Sequence, residues 1–190
     1  YNDFNYCVTD MSDNICSIAF YPSVDPSFDT LFELIPNIAQ LPTLSDGLFV
    51  EGRYDSMINS TLLSEIKTIV NNHNYTEVNV TGNGIGGLLA LLFTHKWNID
   101  ARANSSNEID HTYVFGVPNI GLFGDICGSD TTDVIRVSID TDPMTRLFNK
   151  VARGAWGLEP AFYPPGKHLY LTSVVGEYWR NHPVIYSNYK

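Results

Sequence analysis

Residues 77–93 read EVNVTGNGIGGLLALLF and contain the clearest indication of the fold class. Its first five residues, EVNVT, predict a β-strand. Its last six, LLALLF, are apolar on every side, which predicts a helix buried in the core. Between them, GNGIGG predicts a sharp turn, because glycine adopts positive φ without steric cost. The segment is therefore predicted to run from a strand through a turn into a buried helix.

Patterns on either side extend this unit into a larger sheet. Strands are predicted at residues 15–20, 112–115, 134–139 and 168–175. A short amphipathic helix is predicted over residues 28–35, between Ser27 as N-cap and Pro36 as the stop. A second helix follows from the apolar stripe Leu62, Ile66, Ile69 and Val70. Because strands alternate with helices, we predict an α/β fold with a mostly parallel central sheet and helices on both faces.

The composition limits the class of protein. The 190 residues include 11 Lys and Arg against 21 Asp and Glu, a formal net charge of −10, and 44% are hydrophobic. A chain of this size and apolar content buries a core, so residues 1–190 are predicted to form one domain. The acidic balance excludes nucleic acid as a partner. No run of 18 apolar residues occurs, so no transmembrane segment is predicted.

The glycine-rich turn has the layout of a nucleophile elbow. In that G-x-S-x-G motif, a strand–turn–helix unit holds a serine hydroxyl above the sheet of an α/β-hydrolase, and the central residue is strained at positive φ. Here the central residue is Gly84, which relieves the strain and has no hydroxyl. The outer glycines are expected because side chains there would collide with the neighbouring strand and helix.

Two other interpretations of the turn stay open at this point. Gly82, Gly84 and Gly87 match G-x-G-x-x-G, the phosphate-binding loop of dinucleotide folds. Such a fold places an acidic residue about 20 residues further on, at the end of a second strand. Asp100 and Glu108 bracket that distance, but neither follows a strand pattern. A purely structural glycine-rich turn is the other alternative.

Three segments carry a family resemblance: residues 80–87 (VTGNGIGG), 18–23 (IAFYPS) and 114–121 (VFGVPNIG). The first resembles the VTGHSLGG elbow of the class 3 lipases, the fungal triglyceride lipase family. Residues 18–23 resemble that family's strand ending in an oxyanion-loop Ser or Thr, and residues 114–121 are similar to its F-G-x-P-R-x-G segment. The resemblance implies an α/β-hydrolase fold.

Downstream segments resemble the parts of that family which supply the acid and the histidine. The strand at 136–137 that leads to Asp142-Pro143 resembles the turn presenting the catalytic Asp, and residues 182–186 (HPVIY) resemble the terminal histidine segment. The resemblance implies Asp142 as the acid and His182 as the base. Asp140 and His168 are the alternatives.

The resemblance also implies an oxyanion hole and a lid. Ser23 and the backbone amide of Ile85 correspond to the oxyanion groups, and the helix at 28–35 occupies the place of the lid. This sequence departs from the family at Asn83, where His is usual, and at Pro22, where Gly or Arg is common. The nucleophile is the missing member of the triad.

Two functions are compatible with this set of residues. The first is a class 3 lipase-like protein without the nucleophilic serine, a pseudo-lipase that binds an acyl chain or a protein partner in a residual apolar cleft or serves structurally. The other is a lipase or esterase whose serine at position 84 was replaced by glycine. Losing the nucleophile of a serine hydrolase lowers its rate by about a millionfold, so the sequence as it stands predicts no useful lipase activity.

The cysteines and glycosylation motifs indicate a secreted or luminal protein. Cys7, Cys16 and Cys127 are compatible with a Cys7–Cys16 disulfide and one remaining thiol, or with three buried thiols. The chain begins at Tyr1 without a leader sequence, which suggests a processed segment. Glycans are predicted on three of the four N-x-[ST] motifs, because Asn79 falls in a predicted buried strand; the three are Asn59, Asn74 and Asn104.

Histidine spacing gives no indication of a metal site. His73, His95 and His111 lie near loops or element ends and lack the spacing of metal ligands. We therefore predict no metal and no cofactor.

Overall fold

A computed structural model describes residues 4–11, 14–22, 60–117, 133–139, 142 and 166–171. Within these ranges the chain forms six strands and two helices. In chain order they are β1 (Phe4–Met11), β2 (Ile15–Pro22), α1 (Ser60–His73), β3 (Glu77–Asn83), α2 (Ile85–Asn104), β4 (His111–Phe115), β5 (Asp133–Ile139) and β6 (Lys167–Leu171). The predicted helix at 28–35, with Ser27 and Pro36, lies outside the described residues.

The six strands form one sheet in the order β1-β2-β3-β4-β5-β6. β1 pairs with β2 antiparallel, and every following pair is parallel. The prediction of a mostly parallel α/β sheet is confirmed. Because parallel neighbours need a crossover, α1 connects β2 to β3 and α2 connects β3 to β4. The carboxyl ends of β2 to β6 consequently share one edge of the sheet.

The described core lies on one face of this sheet. Side chains alternate along β3, where Val78 and Val80 are buried and their neighbours are half-buried. Both helices contribute to the same cluster: α1 through Leu62, Ile66 and Val70, and α2 through a nearly continuous buried run over residues 86–94. The predicted buried helix is therefore confirmed, and the predicted stripe on α1 is confirmed at Leu62, Ile66 and Val70, whereas Ile69 is half-buried. Both described helices contribute to this cluster, and the helices predicted on the other face are not among the described residues.

The antiparallel hairpin of β1 and β2 corrects the predicted disulfide. Cys7 pairs in register with Ala19, whereas Cys16 pairs with Asp10. Three register positions correspond to about 10 Å along the strands, and bridged cysteines have Cα atoms less than about 7 Å apart. The predicted Cys7–Cys16 disulfide is therefore wrong for this hairpin. Cys16 is buried in the core, and Cys127 lies outside the described residues.

Candidate active site

The turn between β3 and α2 consists of the single residue Gly84. Its backbone has φ 54° and ψ −119°, a conformation that residues other than glycine adopt only with strain. Two backbone hydrogen bonds hold it: its N–H donates to the Phe115 carbonyl at 2.8 Å, and its carbonyl accepts from the Leu88 N–H at 3.2 Å. The chain thus passes from strand to helix within one residue, which is the geometry of a nucleophile elbow.

The glycines beside Gly84 allow the helix to start this close to the sheet. A Cβ on Gly82 would overlap the carbonyl oxygen of Gly86, and a Cβ on Gly86 would overlap the carbonyl oxygen of Phe20 on β2. A Cβ on Gly87 would lie 2.5 Å from Cγ2 of Val117. The predicted collisions with the neighbouring strand and helix are therefore confirmed, since β2 and α2 provide the atoms that a side chain would strike.

The amino end of α2 lies at the elbow and begins with Ile85, whose backbone amide was predicted as an oxyanion group. Ile85 is the first residue of α2, so its N–H precedes the internal hydrogen-bond ladder of the helix. Such N–H groups stabilise developing negative charge. Gly84 is the N-cap and no side chain caps the helix. Ser23, the other predicted oxyanion residue, lies outside the described residues.

Asp142 lies at the same edge of the sheet as Gly84. It follows the end of β5, its side chain is fully buried, and its N–H donates to the Ile139 carbonyl at 3.0 Å. Because β4 separates β3 from β5, the two strands that lead to Gly84 and Asp142 lie about 10 Å apart. The predicted base, His182, lies outside the described residues, so the triad remains a prediction.

Of the two alternative residues, only His168 lies among the described residues. His168 lies on β6, where it pairs in register with Arg136, and Asp140 falls outside the described residues. The dinucleotide interpretation fails on position. Asp100 lies within α2 and Glu108 in the loop that follows, whereas a ribose-binding acid ends a strand.

Two features of β4 and β5 were not identified from the sequence. The Phe115 carbonyl anchors Gly84 across the β3–β4 pair, a long-range contact that only the strand register specifies. Arg136 on β5 is 3% exposed, next to the buried Ser138, although strand periodicity alone would assign that position to an apolar side chain. The unexpected Arg within an apolar strand pattern was the only available signal.

The predicted glycosylation motifs differ in accessibility. Asn74 and Asn104 are exposed, and the Asn104 amide donates to Asp100. Asn79 is half-buried in β3, where its amide donates to Glu77 at 2.7 Å, and Asn59 lies outside the described residues.

None of the described helices is long and apolar enough to cross a membrane. Among the same residues, no group of His, Cys, Asp or Glu is arranged to hold a metal ion.

A parallel sheet with a strand–elbow–helix unit at its carboxyl edge is an α/β-hydrolase fold. The chain belongs to the class 3 lipase family: its residues 17–152 match the family model described as Lipase (class 3). None of the curated protein sequences is similar enough to match the chain.

Solved structures of fungal lipases share this fold. The lipase from Rhizopus microsporus var. chinensis has a TM-score of 0.62 and 17% identity, over 92% of this chain and 59% of that one. The Rhizomucor miehei lipase propeptide complex has a TM-score of 0.61 and 18% identity, over 90% and 53%. A triacylglycerol lipase from Penicillium expansum has a TM-score of 0.56 and 13% identity, over 92% and 66%. The matches thus span between half and two thirds of the lipases' length.

Proposed function

We propose that this protein is a pseudo-lipase: a class 3 lipase-like protein in which Gly84 occupies the nucleophile position and ester hydrolysis is lost. The observation that carries the proposal is the backbone of Gly84, which has the strained elbow geometry but carries no hydroxyl. Without a nucleophile, acylation has no acceptor. Only oxyanion and binding interactions can then accelerate ester hydrolysis, so its rate is expected to be about a millionfold lower than in an intact serine hydrolase.

We further propose that the cleft above the elbow binds an acyl chain or an apolar segment of a protein partner, and that the chain is secreted and glycosylated. The family membership and the exposed Asn74 and Asn104 support this role. The helix at 28–35 is proposed as its lid. Deleting residues 28–35 should change the affinity for a fluorescent fatty acid, and an unchanged affinity would contradict the lid.

The second candidate is an acyl-ester hydrolase whose natural residue at position 84 is serine. The burial of Asp142 at the same edge of the sheet as the elbow favours this second candidate. Burying a carboxylate is costly unless other groups compensate for it. A site that no longer hydrolyses esters has no need to keep the Asp142 carboxylate buried. Asn83 and Pro22, which depart from the family pattern, favour the pseudo-lipase. The native coding sequence separates the two: a serine codon at position 84 would rule out the pseudo-lipase.

The direct test compares the natural chain with Gly84→Ser on p-nitrophenyl butyrate and with a fluorophosphonate probe. We expect the natural chain to give the buffer rate and no covalent label. Hydrolysis by the natural chain above that of Gly84→Ala would overturn the proposal. Label on Gly84→Ser would indicate that the acid, base and oxyanion groups persist, and its loss in Gly84→Ser/Asp142→Asn would assign the acid.

A further inference from the structure

A cavity of about 690 Å³ lies at the edge of the sheet opposite the elbow. It is bounded by the carboxyl ends of α1 and α2 and by the loops that lead into β3 and β4. Val78 at the cavity and Gly84 at the elbow lie at opposite ends of β3, about 20 Å apart. The volume falls within the range of small-molecule sites, about 300–1,000 Å³.

The lining combines apolar and neutral polar groups. Aliphatic side chains come from Val70, Val78 and Ile109, and aromatic rings from Tyr75 and Trp97. Amides and hydroxyls outnumber the charged groups; they belong to Asn71, Asn74, Thr76, Ser106 and Asn107. This mixture suits a ligand that presents both an apolar face and several hydroxyls, and it is too polar for an acyl chain.

Each charged residue of the lining already has a partner. Lys67 pairs with Asp100, and its Nζ lies 4.9 Å from the centre of the Trp97 ring. Glu108 accepts two bonds from the Arg102 guanidinium, at 3.1 and 3.3 Å. The Asp110 carboxylate accepts from the Val78 N–H at 2.8 Å. A phosphate or carboxylate ligand would have to compete for Lys67, so the lining favours a neutral ligand.

The two aromatic rings are held in place by their neighbours. Trp97 is 4% exposed, and its indole N–H donates to the Asn107 carbonyl at 3.0 Å. Tyr75 is half-buried and stacks on His73, with ring centres 5.5 Å apart and an interplanar angle of 18°. Trp97 is buried and has Lys67 over its ring, so it forms the base of the cavity, and Tyr75 is the ring that offers a ligand apolar contact at small entropic cost.

We propose that this cavity is a saccharide-binding site for a neutral pyranose, whose apolar face packs on the Tyr75 ring while amides and hydroxyls bind its hydroxyl groups. The sugar has two sources: a free saccharide, or a glycan carried by Asn74, which lines the cavity and begins an Asn-Tyr-Thr motif.

The first experiment titrates the full chain, made in bacteria and therefore unglycosylated, with methyl glycosides of glucose and N-acetylglucosamine by ¹⁵N NMR. We expect saturable shifts at Asn71, Tyr75 and Asn107. Tyr75→Ala should weaken binding about tenfold, whereas Tyr75→Phe and the exposed control Tyr21→Ala should leave it within about twofold. Because no free charge is used, added salt should have no effect.

Absence of saturable shifts in the natural chain, shifts at the elbow instead of the cavity, or binding that falls steeply with salt would overturn the proposal. A second preparation, the same protein secreted from a host that adds N-glycans, identifies the source of the sugar. If the Asn74 glycan fills the cavity, added glycoside produces no shifts until Asn74→Gln removes it. If the glycosylated and bacterial chains bind the glycosides equally, the ligand comes from solution.

Discussion

The single residue between β3 and α2 has a backbone conformation that strains any residue except glycine, and it is also the position of the proposed loss of chemistry. At φ 54° and ψ −119°, a Cβ at position 84 costs about 1–3 kcal/mol. Gly84→Ala should therefore lower the free energy of unfolding by about that amount in urea titrations. The matched control is Ser105, which already has positive φ (53°) at the end of α2. Ser105→Gly should raise the free energy of unfolding by up to about 1 kcal/mol. If both variants changed the free energy of unfolding in the same direction, positive φ would not be the cause of the effect at Gly84.

Residue-scale prediction succeeded where the determining contacts are local in sequence. A Cβ on Gly82 would overlap the Gly86 carbonyl only four residues further on, so the motif alone predicts this glycine, whereas the carbonyl that excludes a side chain on Gly86 belongs to Phe20 of β2. The cysteine prediction failed because the register of β1 and β2, set by the whole hairpin, separates Cys7 from Cys16. The acid role of Asp142 was inferred only from the family resemblance. Its burial could not be predicted, because it depends on where β5 ends relative to β3 in the sheet.

At the scale of elements, a buried pair of hydroxyls joins α2 to β4. Thr94 Oγ1 lies 2.9 Å from Thr112 Oγ1 and also donates to the Ala90 carbonyl, and both threonines are fully buried. Thr94→Val should destabilise the fold by about 1–2 kcal/mol, because it leaves the Thr112 hydroxyl buried without this partner. Thr94→Val/Thr112→Val should cost clearly less than the sum of the single variants. Thr68, whose hydroxyl makes the same helical bond on an exposed face, is the control, and additive costs would contradict the coupling.

A lysine adds polar contacts between α1 and α2, which also share the buried apolar cluster. Lys67 reaches from α1 to Asp100 and to the Trp97 ring on α2, and its side chain is 20% exposed. Lys67→Met keeps the apolar stem and removes the charge, so we expect a loss of about 1 kcal/mol in chemical denaturation. The exposed pair of Lys167 and Asp133 provides the comparison: Lys167→Met should change stability by less than about 0.5 kcal/mol. Equal effects would show that the cation–π contact adds nothing.

Periodicity identified the elements that have a clear apolar pattern, and it missed one that does not. The stripe predicted α1, whose helix ends at His73, three residues after Val70, where Asn74 adopts positive φ (52°). β1 was not predicted because its sequence, FNYCVTDM, mixes polar and apolar residues without a clean alternation. An edge strand needs to bury only part of its surface, so pairing with β2 rather than side-chain pattern specifies it.

At the scale of the whole molecule, stability should be greatest in the centre of the sheet. Ile18, Val80 and Val114 lie on β2, β3 and β4, are fully buried, and pack in the cluster that contains α2. Within the described sheet, β1 and β6 are the edge strands; Tyr6 on β1 is half-buried, and Leu169 on β6 is 51% exposed.

Native-state hydrogen exchange measures this difference directly. Amides of the central strands and of α2 should exchange only through global unfolding, whereas those of β1 and β6 should exchange at least about tenfold faster through local opening. As the urea concentration rises, the opening free energy of the central amides should fall with the full m-value of global unfolding. The opening free energy of the edge amides should fall with a smaller m-value, because local opening exposes less surface. Uniform rates and slopes across all six strands would instead mean that the sheet opens as a single cooperative unit. In that case the buried cluster beneath α2 would not be the part of the molecule that limits its unfolding.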